Sequence, residues 1–129
     1  MKTTILEACT DCVQSAINAQ KGGADRIELC SNLVIGGLTP GKALFDLVKK
    51  YTNIKTRVLL RPRYGDYCYD QYEFEQLKEE VQMYCEMGAM ELSSECSIRM
   101  VRWIQSIWQS LLRQQEIKRK RFTVHLMSA

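Results

Sequence analysis

Three short strand-like segments, each followed by an amphipathic helical segment, constrain this chain most. Residues 4–9, 26–30 and 57–61 are apolar-alternating and read as strands. Residues 13–21 read as a helix capped by Asp11 and ended by Gly22-Gly23. Residues 43–51 form the second helix, with Leu44, Leu47 and Val48 on one face. Residues 73–87 form the third, carrying Phe74, Leu77, Val81, Tyr84 and Cys85 at helical spacing before Gly88. Loops around Gly36-Gly37, Thr39-Pro40 and residues 63–70 separate them. Strands alternating with helices of this length predict parallel βα units with right-handed crossovers.

The two faces of those strands differ chemically. Side chains alternate along a strand. One face carries Leu6 and Ala8, Ile27 and Leu29, Val58 and Leu60, which suits packing under helices. The other carries Ile5, Glu7 and Cys9, then Arg26, Glu28 and Cys30, then Leu59, Arg61 and Arg63. An open doubly wound sheet is covered on both faces and wants both apolar. A charged face on all three strands predicts a closed barrel whose polar lumen holds a site near the strand C-termini. The alternative is that these Arg and Glu residues only satisfy one another.

Composition narrows the class. The chain has 129 residues, 46% hydrophobic and 26% charged, as in a globular domain rather than a disordered one. No apolar run is long enough to span a bilayer, and Glu7 interrupts the N-terminal apolar stretch before a secretory h-region forms. A cytoplasmic location is expected, where six cysteines stand as thiols available for metal or catalysis. No phosphate-binding glycine fingerprint is present, and no nucleic-acid partner is expected.

The segments LEACTDCVQSAINAQKGGADRIELCSNLVIGGLTP, LLRPRYGDYCYDQYEFEQLKEEV and EMGA closely resemble the CutC copper-homeostasis family over about residues 4–89. GGADRIELCS, GGLTP and RPR occur in the family's order and spacing. The resemblance implies an incomplete (β/α)8 barrel of the TIM type, of which residues 1–89 supply three βα units. It also implies that Cys9 and Cys30, ending the first two strands, hold copper as Cu(I), and that intact relatives form homo-oligomers. Ala8 and Cys12 depart from the family pattern, which has a larger apolar residue and Ser there.

Strand-end thiolates about 4.8 Å apart suit one soft ion. Arg26, Arg61 and Arg63 nearby are expected to favour the thiolate form. Without the resemblance, both cysteines read as small buried hydrophobes; with it, as metal ligands. Cys9 and Cys12 form a CxxC, a weak signal here, since the second pair that a structural zinc site needs is missing and His125 is the only histidine. Cys12 reads as helix surface or core, Cys85 as core, and Cys68 as a loop thiol. A different class is an enzyme on a small anionic metabolite, with Arg61 and Arg63 as the anion clamp, Glu7 or Glu28 as acid or base and Cys30 as nucleophile.

Charge divides the chain. Residues 1–97 carry 11 Lys and Arg against 14 Asp and Glu; residues 98–129 carry 7 against one. After Ala89 the family pattern of a strand like DGVVFG and a DG loop gives way to MELSSECSIRMVRW. Reading each codon one base earlier forces Gly at Met90/Glu91, Gly at Met100/Val101 and Asp at Trp103/Ile104, and with permissible codons the stretch from Ala89 to Ile104 can read as that pattern. Residues 90–129 are therefore expected to be a divergent, frame-shifted tail, leaving a truncated protein impaired in copper binding or a nonfunctional fragment. Within the tail, residues 98–118 read as a basic amphipathic helix and 122–127 as a short strand. Lys118, Arg119, Lys120 and Arg121 leave nuclear localisation open.

Overall fold

The computed structural model describes residues 3–96, residues 121–126 and, between them, residues 102, 103, 105, 106, 109, 110 and 113. The element order is β1 (Glu7–Thr10), α1 (Val13–Lys21), β2 (Arg26–Leu29), a 3-10 turn (Leu33–Ile35), α2 (Lys42–Tyr51), β3 (Lys55–Leu60), α3 (Gln71–Glu86), β4 (Glu91–Cys96) and β5 (Arg121–Leu126). The strands form one five-stranded sheet in the order β1-β2-β3-β4-β5. Every neighbouring pair is parallel. Sequential order with all-parallel pairing is the topology of a βα barrel wall.

The partial barrel expected from the sequence is present, and it runs beyond three units. The MELSSEC stretch, expected to belong to a divergent tail, forms β4, with Glu91 opposite Arg57 and Leu92 opposite Val58. The strand expected at residues 122–127 is β5, displaced by one residue, and it pairs with β4 over six positions. Of the helix expected at 98–118, the described positions within 102–113 are helical; the rest, with Met127 of the expected last strand, lies outside the described residues.

Local chemistry sets the helix ends. Cys12, not Asp11, is the N-cap of α1: its sulfur accepts from the Ser15 N–H at 3.4 Å. Asp11 instead accepts from the Leu33 N–H at 3.3 Å, joining the first and second loops. Helix α3 starts two residues earlier than its apolar spacing suggests, because Asp70 and Glu73 form a reciprocal capping box. The core lies between the sheet and its helices. Ile27, Leu29, Val58, Leu60 and Leu92 from the strands meet Ala16, Phe45, Val48, Leu77, Val81 and Tyr84 from the helices, all nearly or fully buried. Ser94 takes the same outward face on β4 and is satisfied by donating to the Leu60 carbonyl at 3.0 Å. The Tyr84 hydroxyl donates to the Pro40 carbonyl, pinning α3 to the loop before α2.

Candidate functional site

Register partners in a parallel sheet share a face, so the pairing fixes what lines the concave side. Glu7 lies opposite Arg26, Cys9 opposite Glu28, Glu28 opposite Arg57, and Arg57 opposite Glu91. Counting by twos, this face also receives Cys30, Leu59, Arg61, Ser93 and Glu95. The side chains stack in tiers from the N-terminal to the C-terminal ends of the strands.

The lowest tier is a closed ring of alternating charge. Arg26 bonds to Glu7 and lies 3.4 Å from Glu91; Arg57 lies 3.5 Å from each of the same two carboxylates. Two cations and two anions cancel. Of the Arg and Glu residues read from the sequence on this face, only Glu7 and Arg26 pair with each other here. Arg57 and Glu91 escaped that reading. Arg57 shares the parity of Leu59 and Arg61 and was recoverable by counting back along the strand. Glu91 was hidden because ELSSEC lacks a clear apolar alternation.

The middle tier centres on Glu28. One of its oxygens accepts from the Ser93 hydroxyl at 2.6 Å, the other from the Cys9 thiol at 3.7 Å. Ser93 is on β4, two strands from β2. In a flat sheet those strands would stand about 9–10 Å apart. A direct Ser–Glu hydrogen bond across β3 therefore reports a strongly curved wall.

The upper tier holds Cys30 and Arg61. Cys30 is buried, just past the end of β2, and its thiol donates to the Thr10 carbonyl at 3.6 Å. Arg61 is also buried. Its Nη1 donates to the carbonyls of Ile35 at 3.3 Å and Gly37 at 3.2 Å, its Nη2 to that of Gly65 at 3.0 Å. Its guanidinium carbon lies 5.0 Å from the centre of the Tyr67 ring. A hydrogen bond to the Glu95 carboxylate, together with burial, raises the Tyr67 hydroxyl above its ordinary value. Arg63 belongs elsewhere: it is spent on Glu73, Asp66 and the carbonyls of Tyr64, Asp66 and Cys68, folding its own loop.

The arginines do not lower the strand-end thiols, which corrects that expectation. Cys9 is exposed, yet partial desolvation first, then the charge of Glu28 and its hydrogen bond, raise it above the ordinary thiol value. Burial, followed by the charges of Asp11, Cys9 and Glu28, pushes Cys30 up to about 11. The reason is the pairing just described: Arg26 is neutralised in the ring, Arg61 faces carbonyls, and Arg63 is engaged by Glu73 and Asp66. The thiol that is lowered is Cys12, through hydrogen bonds from the Ser15 side chain and backbone. Cys12 is exposed, as is the loop thiol Cys68, while Cys85 is buried on α3.

Among the described residues, no group of three or more His, Cys, Asp or Glu side chains is placed to hold one metal ion. Cys9 and Cys30 are a two-donor set.

A sequential, all-parallel, curved βα wall with a polar concave face defines a segment of a TIM-type barrel. The chain belongs to the CutC family, whose family model matches residues 4–97. It is 46% identical over 79 residues to a human protein named copper homeostasis protein cutC homolog, covering 61% of this chain and 29% of that one. It is 38% identical over 89 residues to a CutC family protein of Treponema denticola, covering 69% and 36%. A solved CutC structure from Streptococcus agalactiae superposes with a TM-score of 0.78 at 22% identity, covering 95% of this chain and 59% of that one. The chain thus spans about a third of the length of the relatives it matches in sequence.

Proposed function

We propose that this chain binds copper as Cu(I) through Cys9 and Cys30, in the service of copper homeostasis. The observation that carries the reading is the shared concave face of the two thiols on adjacent parallel strands, where the register sets Cys9 opposite Glu28 and so places Cys30 one tier above it rather than level with it. Thiolate sulfur is the ligand type that selects Cu(I). Copper is cargo here, and binding displaces the protons that burial and Glu28 hold on the thiols. The reading of the polar face as an enzyme's anion site has less support, because Arg61 and Arg63 direct their donors at loop carbonyls and carboxylates.

The test is titration of the reduced chain with Cu(I) against a competing chelator. Cys9→Ser and Cys30→Ser should each abolish tight binding, while Cys12→Ser leaves it nearly unchanged. Undiminished affinity in both of the first two variants would remove the reading.

A further inference from the structure

Cys30 lies beneath a loop whose attachment is unusual. Residues 32–37 leave and rejoin the fold through the antiparallel Ser31–Leu38 bridge, closed by reciprocal hydrogen bonds of 2.9 and 2.7 Å. Beyond that bridge, Thr39 is fastened to β3: its N–H donates to the Arg61 carbonyl at 3.0 Å, and its hydroxyl accepts from the Arg61 N–H at 2.9 Å. The loop itself has little apolar anchorage. Leu33, Val34 and Ile35 are exposed, Val34 at 94%. Its remaining backbone bonds are local, joining Asn32 to Ile35 and Gly37, and Leu33 to Gly36.

Two side chains tie the loop down. Asp11 holds the Leu33 N–H, and Arg61 holds the carbonyls of Ile35 and Gly37. The contact below is close. A Cβ on Gly37 would stand 3.2 Å from the Cys30 sulfur and 2.9 Å from Leu59, and one on Gly36 would stand 3.0 Å from Arg61 Nη1. Both glycines have φ near +90°, a conformation that disfavours any side chain. Two glycines thus allow the backbone to seal the thiol. A segment held by a few hydrogen bonds and almost no apolar packing opens at low cost relative to the core.

We propose that residues 32–37 are a lid over Cys30, hinged at the Ser31–Leu38 bridge and latched by the Arg61 guanidinium. Its purpose, admission of the ion to Cys30, rests on the copper reading; the opening itself does not. Arg61 is a positioning residue, acting on Cys30 through the loop.

Pulse alkylation of the native, metal-free chain with iodoacetamide, read cysteine by cysteine by peptide mass mapping, tests the lid without copper. In the unaltered chain exposed Cys12 should react fast, and Cys30 and core Cys85 slowly. Arg61→Lys keeps the charge and loses the fork. It should speed Cys30 at least about tenfold and leave Cys85 unchanged. Gly37→Ala, which strikes the lid rather than the latch, should do the same. Cys30 rates unchanged in both variants, or rising in step with Cys85, would overturn the proposal. A chain that labels as expected yet binds no Cu(I) would cost the copper reading alone.

Discussion

Cys9 donates its thiol hydrogen to Glu28, the residue directly opposite it in the β1–β2 register, at 3.7 Å. A carboxylate there favours the neutral thiol, both by its charge and by accepting the hydrogen bond. Glu28→Gln removes the charge and keeps an oxygen for Ser93. The Cys9 titration should move to lower pH, read from the pH dependence of its alkylation rate. A titration left in place would mean that partial desolvation and the charge of Glu7 set it. Cu(I) binding, which needs both protons gone, should weaken as pH falls in the parent chain and weaken less steeply in this variant.

Cys30 makes stability depend on alkaline pH. Its folded value is about 11 against an ordinary 9.0. The folded value is raised, so the stabilising contribution is complete below pH 9 and is lost as pH rises toward 11. In that window the unfolded chain loses a proton that the folded chain keeps. Two pH units correspond to about 2–3 kcal/mol. Urea unfolding at a series of alkaline pH values should show that decline, and Cys30→Ala should flatten it. An unchanged slope in the variant would show that another group is responsible.

The charge ring gives a third expectation. Glu91→Gln leaves Arg26 and Arg57 sharing Glu7, with their side chains only 18% and 10% exposed. The uncompensated charge should cost about 1–3 kcal/mol in urea unfolding, and adding Arg57→Met should recover part of it. Simple additivity of the two changes would mean that the ring is a set of independent surface contacts.

The barrel wall was legible because its signals are local. Strand length, helix period and the polar face follow from residues a few positions apart, and GGADRIELCS and RPR follow in family order. What the side chains do with that face was not legible, because it depends on partners 19 to 65 residues away. Arg61 looked like an anion clamp from its neighbours Pro62 and Arg63. In the structure its guanidinium donates to carbonyls of two loops, which carry no side-chain signature. Strand β4 was missed because Ser94 occupies an outward core position where an apolar residue would have marked the alternation.

The coding sequence gives a separate check on residues 90–129. If the tail is a shifted reading, the frame one base earlier should encode, from Ala89 to Ile104, a DGVVFG-like strand followed by a DG loop. Sequencing the transcript and gene across this stretch decides it. A shifted frame without that strand would leave β4 as the chain's own solution to the fourth wall position.

The last expectation concerns association. Strands β1 and β5 are the two ends of the described sheet. Closing a TIM-type barrel takes eight strands, and an end strand carries a row of backbone donors and acceptors on its outer side. Natural edge strands are often protected by charge, Pro or bulges; β1 reads Glu7-Ala8-Cys9-Thr10 and has one charge and neither of the others. Just before it, Ile5 and Leu6 are 61% and 55% exposed, which adds apolar surface at the same edge. The 129-residue chain, purified by itself, should therefore unfold over a broad thermal range by circular dichroism. It should also elute from size-exclusion columns progressively earlier as its concentration rises. Placing Lys at Ile5, which is exposed and outside the core, should shift elution toward the monomer without lowering the unfolding midpoint. A sharp cooperative transition from a concentration-independent monomer would show instead that the five-stranded wall is self-sufficient and that its edges are protected by residues outside those described.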